Sequence, residues 1–166
     1  MKSTLKANPL SHSIGAEILG CDIKEINDKG ISDIKDLLCS YKVLFFPNQD
    51  LSIEDHVAFG EKFGELQGHP HINNPKIKHP KIFELAASSG GIADEWHTDL
   101  TFQEQPALLS ILHMVEVPSV GGDTMWTDLV AAFKALSKPI QDMCIGLSAL
   151  HDAAPHLHPE NMTIHP

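Results

Sequence analysis

The sequence predicts an α+β fold, built around a β-sandwich or barrel with its helices mainly at the start. Three observations lead there. Helical three- and four-residue periodicity is strongest between residues 31 and 63, and short apolar or alternating runs recur from there to residue 151. Turn signals rich in Gly, Pro and Asn separate those runs. At 166 residues the chain suits one domain with a sizeable core and is short for two.

The elements follow in order. Ser13 to Leu19 alternates like a strand and stops at the turn Gly20-Cys21-Asp22. Ile31, Ile34, Leu37, Leu38 and Tyr41 recur on one helical face. Val43 to Phe46, closed by Pro47-Asn48, is a short buried strand. Ser52 followed by Asp55 forms a capping box for a helix carrying Ile53, Val57 and Phe63, with Gly64 as its stop. Gly68 to Pro80 is a loop, Ile82 to Ala86 a strand, and Ser88 to Gly91 a flexible connection. Leu108 to Val117 reads as a strand ending in the turn Pro118 to Asp123, and Thr124 to Thr127 starts another. Asp128 caps a helix to about Leu136, Pro139 opens a further helix with Cys144 on its core face, and Leu147 to His151 is a last strand. Asp152 to Pro166 has three His and no periodicity, so it is a loop.

Composition narrows the function. The apolar fraction of 42% and charged fraction of 20% are those of an ordinary globular chain, and no apolar run approaches a membrane span. Met1 to Lys6 lacks the apolar stretch of a secretory signal, so the expected location is cytoplasmic. A net charge of −10 without clustered cations argues against a nucleic-acid partner. All twelve basic residues are Lys, with no Arg. Cys21, Cys39 and Cys144 are scattered, without a CxxC, and suit buried or incidental thiols of a reducing compartment.

The chemistry concentrates in Trp96-His97-Thr98-Asp99-Leu100-Thr101-Phe102. On an extended strand, residues two apart share a face, so His97 and Asp99 offer an imidazole nitrogen and a carboxylate oxygen to one ion. With a distant second His, that is the two-His-one-carboxylate set of non-haem Fe(II), which leaves three positions open for a 2-oxo acid and dioxygen. By itself the triplet is a weak signal and reads more readily as a surface His beside a turn Asp, because eleven His and many acids produce such spacings by chance.

Its context is more specific. Pro118-Ser119-Val120-Gly121-Gly122-Asp123-Thr124-Met125-Trp126 lies about twenty residues on, and the pair WHTDxTF and PSxGGDTxW closely resembles the taurine dioxygenase (TauD/TfdA) family. Further matches run in order along nearly the whole chain: Ile14 to Ile18, Gly20-Cys21-Asp22, Val43 to Phe46 with Gln49, Phe63 to Leu66 before His69-Pro70, Ala132 to Ser137, and Leu150-His151-Asp152. The resemblance implies a double-stranded β-helix (a jelly roll) with flanking helices, of which residues 1–166 are the N-terminal portion. It implies Fe(II) held by His97 and Asp99, and 2-oxoglutarate as co-substrate, with one carboxylate bonded by Thr124. It also places His69 on the substrate anion. Gly121 and Gly122 suit a tight turn at positive φ.

Two departures bear on substrate. Taurine-using members carry a Tyr three residues after that His and an Asn four residues before the metal His, and here these are Ile72 and Ala93. A different sulfonate, a sulfate ester or a carboxylate fits as well as taurine. The family's third ligand, a distal His, and the Arg that pairs with 2-oxoglutarate have no counterpart before Pro166. A Lys supplies the charge but not the two-pronged geometry.

The expectation is therefore a cytoplasmic Fe(II)- and 2-oxoglutarate-dependent dioxygenase that hydroxylates a small anionic substrate with O2 and releases succinate and CO2. By analogy it is a homo-oligomer, without membrane or nucleic-acid partners. Residues 1–166 alone are expected to bind iron weakly and turn nothing over. They are either part of a family-length chain, which the intact motifs favour, or a truncated non-catalytic jelly-roll module. A zinc hydrolase is disfavoured without an HExxH set.

Overall fold

The computed structural model describes residues 5–68, 79–86 and 95–152 and divides into two compact units. One is Met1–Gly64 with His113–Leu147; the other is Glu65–Leu112 with Ser148–Pro166.

The first unit opens with strands β1 (Lys6–Pro9) and β2 (Ala16–Leu19), a 3-10 turn (Ile23–Glu25) and helix α1 (Asp28–Tyr41). Strand β3 (Leu44–Phe45) and helices α2 (Ile53–Glu61), α3 (Leu129–Ala135) and α4 (Lys138–Cys144) complete it. The sheet has the order β1-β2-β3. β1 pairs antiparallel with β2, Lys6 facing Leu19, and β3 pairs parallel with β2, Ala16 facing Leu44. A parallel pair needs a long crossover, which the 3-10 turn and α1 supply. The expected alternation of β2 holds, with Ala16 and Ile18 buried while Leu19 faces out.

The helical face expected on α1 is also present: Ile31 and Ile34 are buried, and Leu37, Leu38 and Tyr41 half-buried. Asn27 caps the helix, its side chain accepting from the Gly30 N–H at 3.0 Å. Gly30 lies under Ile26, whose Cγ1 would be 2.4 Å from an added Cβ, so only glycine fits there. Gln49 ties the chain after β3 back to the 3-10 turn. Its Oε1 accepts from Ile23 N–H at 3.0 Å, and its Nε2 donates to the carbonyls of Cys21 (2.8 Å) and Pro47 (2.9 Å). Burial holds the Cys21 thiol up, with Asp22 adding to the effect, so it stays protonated. The core consists of Ala16, Ile18, Ile23, Ile26, Ile31, Ile34 and Phe59, and among the described residues none after Gly60 is buried.

Both halves of the expected capping box exist at α2: Asp55 N–H donates to Ser52 Oγ (3.1 Å) and Ser52 N–H to Asp55 Oδ2 (3.0 Å). The Ser52 N–H bond, then the Ser52 hydroxyl, hold the Asp55 carboxyl below its ordinary value of 3.8. A depressed folded value means stability present above the ordinary value and lost as pH falls through the lower one. Replacing Ser52 by Ala is expected to cost about 1 kcal/mol at neutral pH. Asp55→Asn should flatten the acid limb of stability. Urea titrations at pH 7 and near pH 3 check both, and an unchanged acid limb in Asp55→Asn would sink the assignment.

The other expected helices form. Asp128 Oδ1 accepts from Val130 and Ala131 N–H at 2.9 and 3.3 Å, and Pro139 lies in the first turn of α4. Several expectations do not hold. Residues 82–86, 108–117, 124–127 and 147–151 carry no strand, β3 is two residues long, and β1 was not foreseen. A strand exists only where a neighbour completes its ladder, and these segments find none among the described residues. Cys144 is half-exposed on a helix with no buried residue, so it is not core. Most of the expected loop Gly68 to Pro80 and the connection Ser88 to Gly91 lie outside the described residues. Among the described residues no helix is long and apolar enough to cross a membrane.

Candidate metal centre

His97 and Asp99 lie in the second unit, whose described residues form turns, bends and irregular chain only. The expected strand under them is absent: residues 96–98 are irregular and 99–102 form a turn, closed by Gln103 N–H donating to the Leu100 carbonyl at 3.0 Å. Leu100 sits at φ +55, a conformation that a residue with a Cβ adopts only when its surroundings hold it. The turn, not a pleat, brings the two side chains together.

His97 Nδ1 lies 2.8 Å from the Glu95 carbonyl oxygen. A carbonyl only accepts, so Nδ1 carries a proton and Nε2 is the nitrogen turned toward Asp99. Nε2 lies 3.2 Å from Asp99 Oδ1. Two electron-rich atoms at this separation repel unless a proton or a metal cation lies between them. The spacing fits an ion, because two donors about 2.1 Å from one centre and on adjacent coordination positions sit roughly 3 Å apart. A backbone carbonyl holding the far nitrogen is also the usual support for a ligating imidazole. The side chains are 56% and 59% exposed, so the pair is open to solvent. Among the described residues no group of three or more His, Cys, Asp or Glu gathers, so no third such side chain joins the pair.

Thr124 lies in the first unit and is exposed. The turn before it has the backbone expected: Gly121 and Gly122 take φ +77 and +74, and a Cβ on Gly122 would come 3.1 Å from Pro118 Cγ. Trp126, two residues on, stacks edge-to-face on Phe45 of β3 with ring centroids 5.4 Å apart, which anchors the segment carrying Thr124. His113 packs edge-on to His56, with ring centroids 5.9 Å apart. His69, Ile72 and Ala93 lie outside the described residues, as do His156, His158 and His165. His151, at the end of the last expected strand, meets the motif: its Nδ1 is 2.8 Å from Thr101 Oγ1. Nothing in residue type or spacing marks that bond, which spans fifty positions.

Comparison with known proteins gives a consistent set of likenesses. The model of the family described as taurine catabolism dioxygenase TauD, TfdA family matches residues 6–166. An alpha-ketoglutarate-dependent sulfonate dioxygenase of Saccharomyces cerevisiae is 32% identical, over 90% of this chain and 39% of that protein. An alpha-ketoglutarate-dependent 2,4-dichlorophenoxyacetate dioxygenase of Cupriavidus pinatubonensis is 33% identical, over 89% of this chain and 58% of that protein. The crystal structure of a taurine dioxygenase from Burkholderia xenovorans superposes with a TM-score of 0.68 at 36% identity, covering 84% of this chain and 50% of that one. The chain thus spans about half the length of the proteins it matches.

Proposed function

The chain belongs to the TauD/TfdA family of dioxygenases, and from that premise we propose that the whole protein is an Fe(II)- and 2-oxoglutarate-dependent dioxygenase acting on a small anionic substrate. The observation that carries the reading is the 3.2 Å approach of His97 Nε2 to Asp99 Oδ1 inside the WHTD turn, with Nδ1 already committed to Glu95.

In this reading His97 and Asp99 hold the iron, Thr124 bonds a carboxylate of 2-oxoglutarate, and His69 meets the anionic end of the substrate. Iron supplies redox chemistry toward dioxygen, and the overall reaction yields succinate, CO2 and a hydroxylated product. The chain's own contribution is placement. Glu95 fixes the imidazole tautomer, and the Asp99–Phe102 turn aims the carboxylate. Gly121 and Gly122 let the chain fold tightly ahead of Thr124. The third ligand and the arginine for 2-oxoglutarate belong to the part of the relatives' length that this chain does not span. That part would cover the large apolar side chains exposed here, such as Val115 (83%) and Leu150 (94%), and complete a jelly roll.

Substrate choice rests on the anion. Sulfonate is favoured by the relative of that activity and by a His at position 69, which suits a negative group. A carboxylate is the second reading, favoured by the relative named for 2,4-dichlorophenoxyacetate, while Ile72 and Ala93 weigh against taurine itself under either reading. The test is succinate formation by the full-length protein with alkyl sulfonates, sulfate esters and aryloxy carboxylates in turn. Stimulation by a sulfonate alone selects the first reading, stimulation by a carboxylate alone the second. Absence of 2-oxoglutarate turnover with every substrate, in iron-loaded protein, would remove both.

A further inference from the structure

The Thr101–His151 hydrogen bond reaches the candidate centre from the far end of the described chain. We propose that His151 is a positioning residue for the metal-binding turn, acting through Thr101. The proposal rests on the reading of His97 and Asp99 as metal ligands.

The argument is one of what holds the turn. Asp99 is the first residue of the turn and its side chain is 59% exposed, so packing does little to orient it. Leu100, next along, sits at φ +55, and such a backbone persists only when neighbouring contacts over-determine it. One contact is local, the Gln103 N–H on the Leu100 carbonyl. Thr101 follows Leu100 directly, and its hydroxyl is bound at 2.8 Å by a ring nitrogen from residue 151, in the same unit. The bond therefore fixes the turn on the side away from Glu95, which holds His97 at 2.8 Å. The two ligand side chains are thus supported from opposite ends of the motif, one by a backbone carbonyl and one by an imidazole. Partners bonded directly to a metal ligand typically carry about 10- to 100-fold in metal affinity although they never touch the ion, and the Thr101–His151 bond acts one step further out, through the backbone from Thr101 to Asp99.

The chemistry of the pair gives clean variants. Thr101→Val keeps the shape and removes the hydroxyl, and His151→Leu removes the ring nitrogen. His151→Asn places an amide atom close to where Nδ1 sits, able to donate or accept, and retains the bond. Co(II), read by its visible bands, is titrated anaerobically into the full-length protein with 2-oxoglutarate present, and the metal-free protein is melted in parallel.

Thr101→Val and His151→Leu are each expected to weaken Co(II) binding about 10-fold. The double variant should be no weaker than the worse single, because both remove one bond. His151→Asn should stay within about threefold of the parent, and the metal-free melting temperature should hold in all of them, because Thr101 is half-exposed and His151 exposed. Unchanged affinity in His151→Leu, strictly additive losses, or a matching fall in melting temperature would overturn the positioning role. Metal binding that survives His97→Ala and Asp99→Ala would instead overturn the ligand assignment on which it stands, so the two failures are told apart.

Discussion

His97→Ala or Asp99→Ala in the full-length protein is expected to lower iron affinity and succinate formation by more than about 100-fold, since the supporting partners of a ligand are alone worth 10- to 100-fold. The visible band that Fe(II) and 2-oxoglutarate give together under anaerobic conditions should vanish in both. Asp99→Asn is the sharper variant. Its amide N–H can donate to His97 Nε2 and satisfy the pair without any ion, so the turn should stay folded while the charge that holds iron is gone. Circular dichroism like the parent's, together with a lost band, is the expected outcome. A band that persists in Asp99→Asn and in both Ala variants would mean that the iron is held elsewhere and the proposed centre is wrong.

Ile34→Ala is expected to destabilise the protein by about 2–5 kcal/mol, the usual result of deleting a fully enclosed aliphatic side chain and leaving a cavity. Ile34 is 2% exposed in α1, and with Ile18 of β2 at 1% it is among the most deeply buried side chains of the core. Val115→Ala in the 166-residue chain is the control. At 83% exposure its loss should move stability by no more than about 0.5 kcal/mol. Denaturant unfolding of both variants decides the matter. Equal effects would mean that the core is not where these residues place it.

The contrast between those two residues also marks what was legible in the sequence. Three- and four-residue spacing predicts Ile34 on the apolar face of a helix, and α1 buries it. The run Leu108 to Val117 predicts a strand through Val115, and that strand is not formed. The helices were legible because their signals are local. Ser52 and Asp55 bond each other across three residues, Asp128 caps the turn directly after it, and Pro139 needs only its own fixed φ. The missed strands were not local. An alternating run states which face it would bury and leaves open which chain will pair with it, and β1, a short polar segment, formed because β2 was there to receive it.

The candidate centre divides in the same way. Sequence alone proposes the donors, since the spacing of His97 and Asp99 and their company with Thr124 are properties of the letters, and its motifs, in order along the chain, point to the family whose model matches residues 6–166. Only tertiary structure decided how those donors meet. A carbonyl at Glu95, a leucine at φ +55 and a hydroxyl held from residue 151 set the 3.2 Å approach. None of these is encoded in residue type, because backbone carbonyls are present at every position and a positive φ at leucine is disfavoured locally. Such an arrangement exists only where contacts distant in sequence outweigh that local preference.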